Sequence, residues 1–208
     1  MILRRAFHNQ MDFFHGPKCY IGHDTTGVEG GCRTGMSADL GSSLALCEPH
    51  GPWAYLATSK SASGWALNPL LPQPGTVVRR VRGQRCQTTQ TLLAEWAHAF
   101  GFPSYFGHNW DAFYECITDL EWLPAHCYIA LVTDASAVLP HDEAGFVTFI
   151  EVLNSAATEW ATPQEGEWAR PAVAFRVLFR TDVAQEDHVC ARLQYAGVDP
   201  SPMSFKGM

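Results

Sequence analysis

From residue 76 to residue 180 the chain switches repeatedly between two hydrophobic periods. TVVRRVRG (76–83) alternates Val with Arg and predicts a strand. TTQTLLAEWAHAF (88–100) repeats Leu92, Leu93, Trp96, Ala99 and Phe100 at helical spacing, and Thr88 or Thr89 opens that helix. After a loop broken by Pro103 and Gly107, YFGHNWDAFYECITDL (105–120) starts a second helix, with Asn109 as its N-cap and Phe113, Cys116, Ile117 and Leu120 as its buried stripe. HCYIALVTD (126–134) is nearly continuous in apolar residues, which suits a strand buried on both faces. HDEAGFVTFIEVLNSAATEWA (141–161) is the longest helix, with Phe146, Phe149, Ile150, Leu153, Ala157 and Trp160 inward and Glu151 outward. AVAFRVLFR (172–180) is the third strand. Helices crossing between strands in this order imply an α/β fold, a small three-stranded parallel sheet packed by helices.

The flanks read differently. Residues 1–74 are rich in Gly, Ser, Pro and Cys, and PKCYIGH, SSLALCE and PWAYLATS look like short strands between turn clusters. This segment is expected to be a β-rich module or an irregular extension, joined through NPLLPQPG (68–75) as a linker. Residues 75–182 form the main domain, and residues 183–208 a helix within AQEDHVCARLQYAG followed by a tail that frays. GVEGGCRTG lacks both the Lys-Ser/Thr ending and the glycine spacing of a phosphate-binding loop. The seven cysteines are odd in number and contain no C-x-x-C, which fits free thiols in a reducing compartment. Cys19, Cys32, Cys47 and His50 are the weak candidates for zinc ligands, but their spacing is looser than that of paired structural sites. The expectation is therefore no metal and no cofactor. No run is long enough to span a membrane, and the first residues lack the features of a signal peptide, so a cytoplasmic location is expected.

Charge sharpens this picture. The net charge is −7, yet the span between Cys86 and Ala169 holds twelve acids and not one Lys or Arg. The preceding 85 residues hold nine bases against five acids. An acidic span of this kind argues against nucleic acid as its partner and for a basic protein drawn in by long-range attraction. A merely solubilising surface is the plainer reading, although surfaces normally interleave both signs. Within the span, Asp111 and Glu115 lie four residues apart on one face of the second helix, with Thr118 on the same face and Tyr114 beside them. Such a like-charged pair costs a few tenths of a kcal/mol (about 0.2–0.5) in an isolated helix.

The run Tyr105, Phe106, Gly107, Asn109, Asp111, Ala112, Phe113, Tyr114, Glu115, Cys116, Ile117, Thr118 resembles the loop and helix that mark the barstar family of ribonuclease inhibitors. The order of elements over residues 76–180 is similar to that family's fold. The resemblance implies one-to-one blocking of a basic ribonuclease by the acidic helix, in an immunity or antitoxin role, with no direct nucleic-acid contact. It implies a partner-binding set of Tyr105, Gly107, Asn109, Asp111, Tyr114, Glu115, Thr118 and Glu151. Tyr105 would lie against the enzyme's catalytic centre, and Asp111 would accept hydrogen bonds. Glu115 stands where the family usually places an Asp that enters the phosphate pocket, and Tyr114 where Trp is commoner. Glu151 would pair with a basic residue. Two other readings remain open on the residues alone. One is an acidic adaptor for a different basic protein. The other is an enzyme using Asp111 and Glu115 as an acid/base pair with His108 nearby, for which no nucleophile elbow or metal triad is in the sequence. His98, His126, Trp96, Trp160 and Cys116 read as ordinary surface or core residues, and Trp122 as a residue that could rim an interface.

Overall fold

The structure, a computed structural model, describes residues 46–59, 74–166 and 169–203. The elements are β1 (Ala54–Ser59), β2 (Thr76–Arg82), α1 (Thr89–Phe100), α2 (Trp110–Asp119), β3 (Cys127–Thr133), α3 (Glu143–Ala161), β4 (Ala174–Asp182), α4 (Glu186–Tyr195) and β5 (Ser201–Met203). Among the described residues the strands form one five-stranded sheet in the order β2-β3-β4-β1-β5, and every neighbouring pair is parallel.

The three predicted strands are adjacent in this sheet as β2, β3 and β4. Among the described residues the sheet extends beyond these three strands on the β4 side. β1 falls within PWAYLATS, from before the linker candidate, and pairs with β4 from Ala54 against Val177 onward. β5 pairs with Tyr55, Leu56 and Ala57 of β1, so part of the expected fraying tail is a strand. Its central Pro202 lacks a backbone donor, which restricts it to the border position it occupies. Leu46 and Cys47, read as part of a strand, instead take 3-10 geometry. PKCYIGH, GVEGG and most of NPLLPQPG lie outside the described residues.

The period-two pattern splits the core into two layers. Leu56, Val81, Tyr128, Ala130, Val132, Phe175, Val177 and Phe179 face the buried sides of α1 to α4. Tyr55, Ala57, Cys127, Ile129, Leu131, Ala174 and Leu178 point to the other face, where Leu46 packs. β3 is buried at every position, as its unbroken apolar run requires. On that second face the buried Arg176 donates to the carbonyls of Glu48 and Phe175, which ties the Leu46–Gly51 stretch to the sheet.

Local chemistry sets the helix starts. Thr88 caps α1 reciprocally with Thr91, Asn109 caps α2, and Asp142 caps α3 by accepting from the Gly145 N–H at 2.9 Å. Trp96 sits where the three helices meet. Its ring stacks on Phe100 at 5.4 Å and meets Phe113 and Phe149 edge-on at 5.5 and 5.6 Å.

Among the described residues, one acid of the base-free span is buried. Glu95, on α1, is 5% exposed and accepts from Arg82 Nε at 2.6 Å, from its Nη2 at 3.0 Å and from its backbone N–H at 3.1 Å. Burial alone would raise the Glu95 pKa, but the hydrogen bonds from Arg82 more than offset it and hold the carboxyl below its ordinary value. A depressed folded pKa contributes stability in full above the unfolded value of about 4.3 and loses it as the pH falls through the folded one. Glu95→Gln removes that titration. Thermal melts at about pH 6 and about pH 3 should therefore show a smaller acid-induced drop in Tm for the variant than for the parent chain. Equal drops would assign acid sensitivity to other carboxyls.

Candidate partner-binding face

The loop before α2 is anchored from inside. The Phe106 N–H donates to the Pro103 carbonyl at 3.0 Å, and the buried Phe106 ring meets Phe102 edge-on at 5.1 Å. With Phe106 turned inward, its neighbour Tyr105 is turned outward and is 66% exposed. Its hydroxyl pKa is raised by burial first, and then by Cys116 and the negative charges of Asp119, Glu121 and Glu115. Asn109 Oδ1 accepts from the Ala112 N–H at 2.8 Å, and a side-chain cap of this kind is worth about 1 kcal/mol. A Cβ on Gly107 would lie 3.2 Å from Asn109 Nδ2, so glycine there leaves room for the cap.

Phe113, Cys116 and Ile117 are buried, and Leu120 closes the helix with φ at 45°. This fixes which residues face out. Asp111 and Glu115 are exposed and make no hydrogen bond or ion pair with the described residues. Asp111 sits in the first turn, where the helix dipole favours it. Thr118 is half-buried, and its hydroxyl donates to the Tyr114 carbonyl at 2.8 Å, which uses its proton within the helix. Tyr114 is also half-buried, and its hydroxyl donates to Glu159 Oε2 on α3 at 2.7 Å. Burial, then that bond and the Glu159 charge, push the Tyr114 pKa up to about 12, so it is a neutral donor at any physiological pH.

α2 is thereby locked to α3. Trp160 Nε1 donates to the Ile117 carbonyl at 2.9 Å, and the Phe113 and Phe149 rings lie 6.3 Å apart. Arg170 secures the far end of α3 by donating to the carbonyls of Trp160 and Glu159, both at 3.2 Å, with its guanidinium 4.1 Å from the Trp160 ring centroid. Glu151 is exposed on α3. Two rigidly joined helices thus carry the three exposed carboxylates that the sequence singled out.

A family model described as Barstar (barnase inhibitor) matches residues 76–180. The chain belongs to the barstar family. Comparison with curated proteins and with solved structures gave no match. The barstar match opens on the first residue of β2 and closes within β4, so it takes in β2, β3, most of β4 and the helices α1 to α3. β1, α4 and β5 lie outside it but share the sheet or the core with it. Within the barstar region, Cys116 is buried on the α2 stripe, and burial followed by Asp119 and Glu115 raises its pKa to about 11. That is a packing thiol rather than a nucleophile. Sequence reading did not find Glu159 as the partner of Tyr114, because a bond across 45 positions leaves no periodic trace.

Of the zinc candidates, Cys19 and Cys32 lie outside the described residues. Cys47 Sγ lies 3.6 Å from Thr76 Oγ1, and His50 is exposed. Among the described residues no three His, Cys, Asp or Glu side chains come together as a metal site. No helix among them is long and apolar enough to cross a membrane.

Proposed function

We propose that this chain inhibits a basic ribonuclease by seating α2 in its active site, one inhibitor to one enzyme. The observation that carries the reading is the exposed pair Asp111 and Glu115 beside the exposed Tyr105, within a barstar-family domain. A ribonuclease holds phosphate with cationic side chains. A carboxylate entering that pocket offers the same anionic, two-oxygen acceptor to an Arg or Lys. Asp111 and Glu115 are that acceptor pair in this reading, Tyr105 covers the catalytic centre, and Glu151 meets a basic residue at the margin. Gly107 and Asn109 set the helix start, Tyr114 holds the helix against α3, and Tyr114 and Thr118 line its margin.

Rigidity supports this role. A helix fixed by its cap, its buried stripe and Glu159 surrenders little conformational freedom on binding. The acids of the base-free span add attraction at a distance. Glu115 is one methylene longer than Asp, so the cognate enzyme should have a pocket deep enough for it. The association rate with a basic ribonuclease should fall at least about tenfold between about 10 mM and about 500 mM salt, as steering is screened. Stopped-flow mixing measures this. A salt-independent rate would remove the electrostatic part of the proposal.

A further inference from the structure

A second surface of opposite charge lies at the border of the sheet. β2 is the outermost described strand on its side. Arg79, Arg80 and Arg82 of this strand, His98 of the last turn of α1, and Trp122 and Leu123 line an open cleft of about 600 Å³. That volume falls in the range of about 300–1,000 Å³ usual for small-molecule sites. Arg82 is already engaged by Glu95 through two hydrogen bonds. Arg79 and Arg80 are not engaged in this way. The contact of Arg79 is from Nη1 to the Val78 carbonyl at 3.4 Å, and Arg80 is exposed with no ion pair among the described residues. Among the described residues, neither guanidinium has a carboxylate partner; as neighbours on one strand they leave it on opposite faces, Arg79 on the side of Val77 and Val81 and Arg80 on the side of Val78.

Charges on an outermost strand often serve only to prevent edge-to-edge pairing. That purpose needs no concavity and no aromatic wall. Here the wall is fixed, because Trp122 Nε1 donates to the Phe100 carbonyl at 3.0 Å and the ring meets Phe102 edge-on at 6.0 Å, half-buried. Guanidiniums bind phosphate oxygens in a forked geometry, and an indole ring beside them offers a platform for a planar base. We infer that the cleft between Arg79 and Trp122, with Arg80 adding charge at its rim, binds a nucleoside phosphate, as a free mononucleotide or as part of an RNA strand. His98, Trp122 and Leu123 belong to the base-free span, but none of its acids lines the cleft, so the charge there is set by the arginines of β2. The acidic side chains of α2 do not line the cleft, so the inference stands apart from the inhibitory reading.

The test is calorimetric titration of the full chain with adenosine monophosphate, inorganic phosphate, adenosine and a four-nucleotide RNA. Adenosine monophosphate is expected to bind at least about tenfold more tightly than phosphate or adenosine alone, since it alone engages both the guanidinium and the indole ring. An Arg79→Gln, Arg80→Gln variant with unchanged circular dichroism and Tm should weaken it at least about tenfold. Trp122→Phe should keep part of the preference for nucleotide over phosphate, because a smaller ring remains. RNA binding more than about tenfold tighter than the mononucleotide would make RNA the ligand, and equal binding would make it the free nucleotide. Either supports the site. No binding of any probe at millimolar concentration, or binding that the arginine variant leaves unchanged, would overturn it. Self-association lost in that variant, without nucleotide binding, would assign this border to a second copy of the chain and would equally overturn it.

Discussion

The Asp111→Ala, Glu115→Ala double variant is expected to inhibit its ribonuclease about a hundredfold to a thousandfold more weakly than the parent chain, with the fold intact. Truncating a central interface residue costs about 2 kcal/mol or more, a general range to which the barnase–barstar complex itself contributed, and each 1.4 kcal/mol is tenfold in affinity. Two such losses, less than additive because both acids would meet the same cationic pocket, give that range. The fold should survive for reasons of magnitude. Losing Asp111 from the first turn of α2 removes about 0.3–1 kcal/mol of dipole interaction, while separating the like charges returns about 0.2–0.5 kcal/mol. Both side chains are exposed, so no cavity forms. Inhibition constants measured beside Tm values separate the two effects. A variant that inhibits as strongly as the parent would remove α2 as the inhibitory element.

Trp96→Ala should have the largest effect on stability. The ring is 1% exposed and is the contact shared by α1, α2 and α3 through Phe100, Phe113 and Phe149. Truncating a buried aromatic of this kind costs about 3–5 kcal/mol, against a total stability of about 5–15 kcal/mol for a typical domain. Urea unfolding should show the midpoint moving down by that loss divided by the slope, with the slope itself unchanged. Because Phe113 belongs to α2, the same change should loosen the acidic helix and reduce inhibition further than the folded fraction alone accounts for. A loss below about 1 kcal/mol would mean that neighbouring rings refill the space and that Trp96 is not the junction.

The parts legible in the sequence were those written by local chemistry. The unbroken apolar run of β3, the stripe of Phe113, Cys116 and Ile117, and the Asn109 cap all arise within a few residues, and each was readable in advance. The outward direction of Asp111, Glu115 and Glu151 followed from the same periods. What escaped depends on pairing between distant segments. β1 was visible as a strand, but nothing in AYLATS says that it pairs with β4, more than a hundred positions away. β5 has three residues, too few to carry an alternation, and its Pro202 argues for a tail unless its border position is known. Glu95 looked like one more surface acid. Its position directly before Trp96 on the apolar stripe was the available signal that it turns inward to Arg82. At the candidate site, the exposed acids were legible from their residue types, whereas the anchoring of Tyr114 by Glu159 required the packing of α2 on α3.

The account rests on the acidic helix closing a nuclease active site, and an activity titration tests this most directly. A fixed concentration of a basic barnase-type ribonuclease, well above the dissociation constant, is mixed with increasing amounts of the full chain, and cleavage of an RNA substrate is followed. The account predicts a linear fall in activity that reaches zero at one equivalent, and a return of activity when the Asp111→Ala, Glu115→Ala variant replaces the parent. Undiminished cleavage by every basic ribonuclease tried, the native host's own included, at a large excess of the parent chain would contradict it.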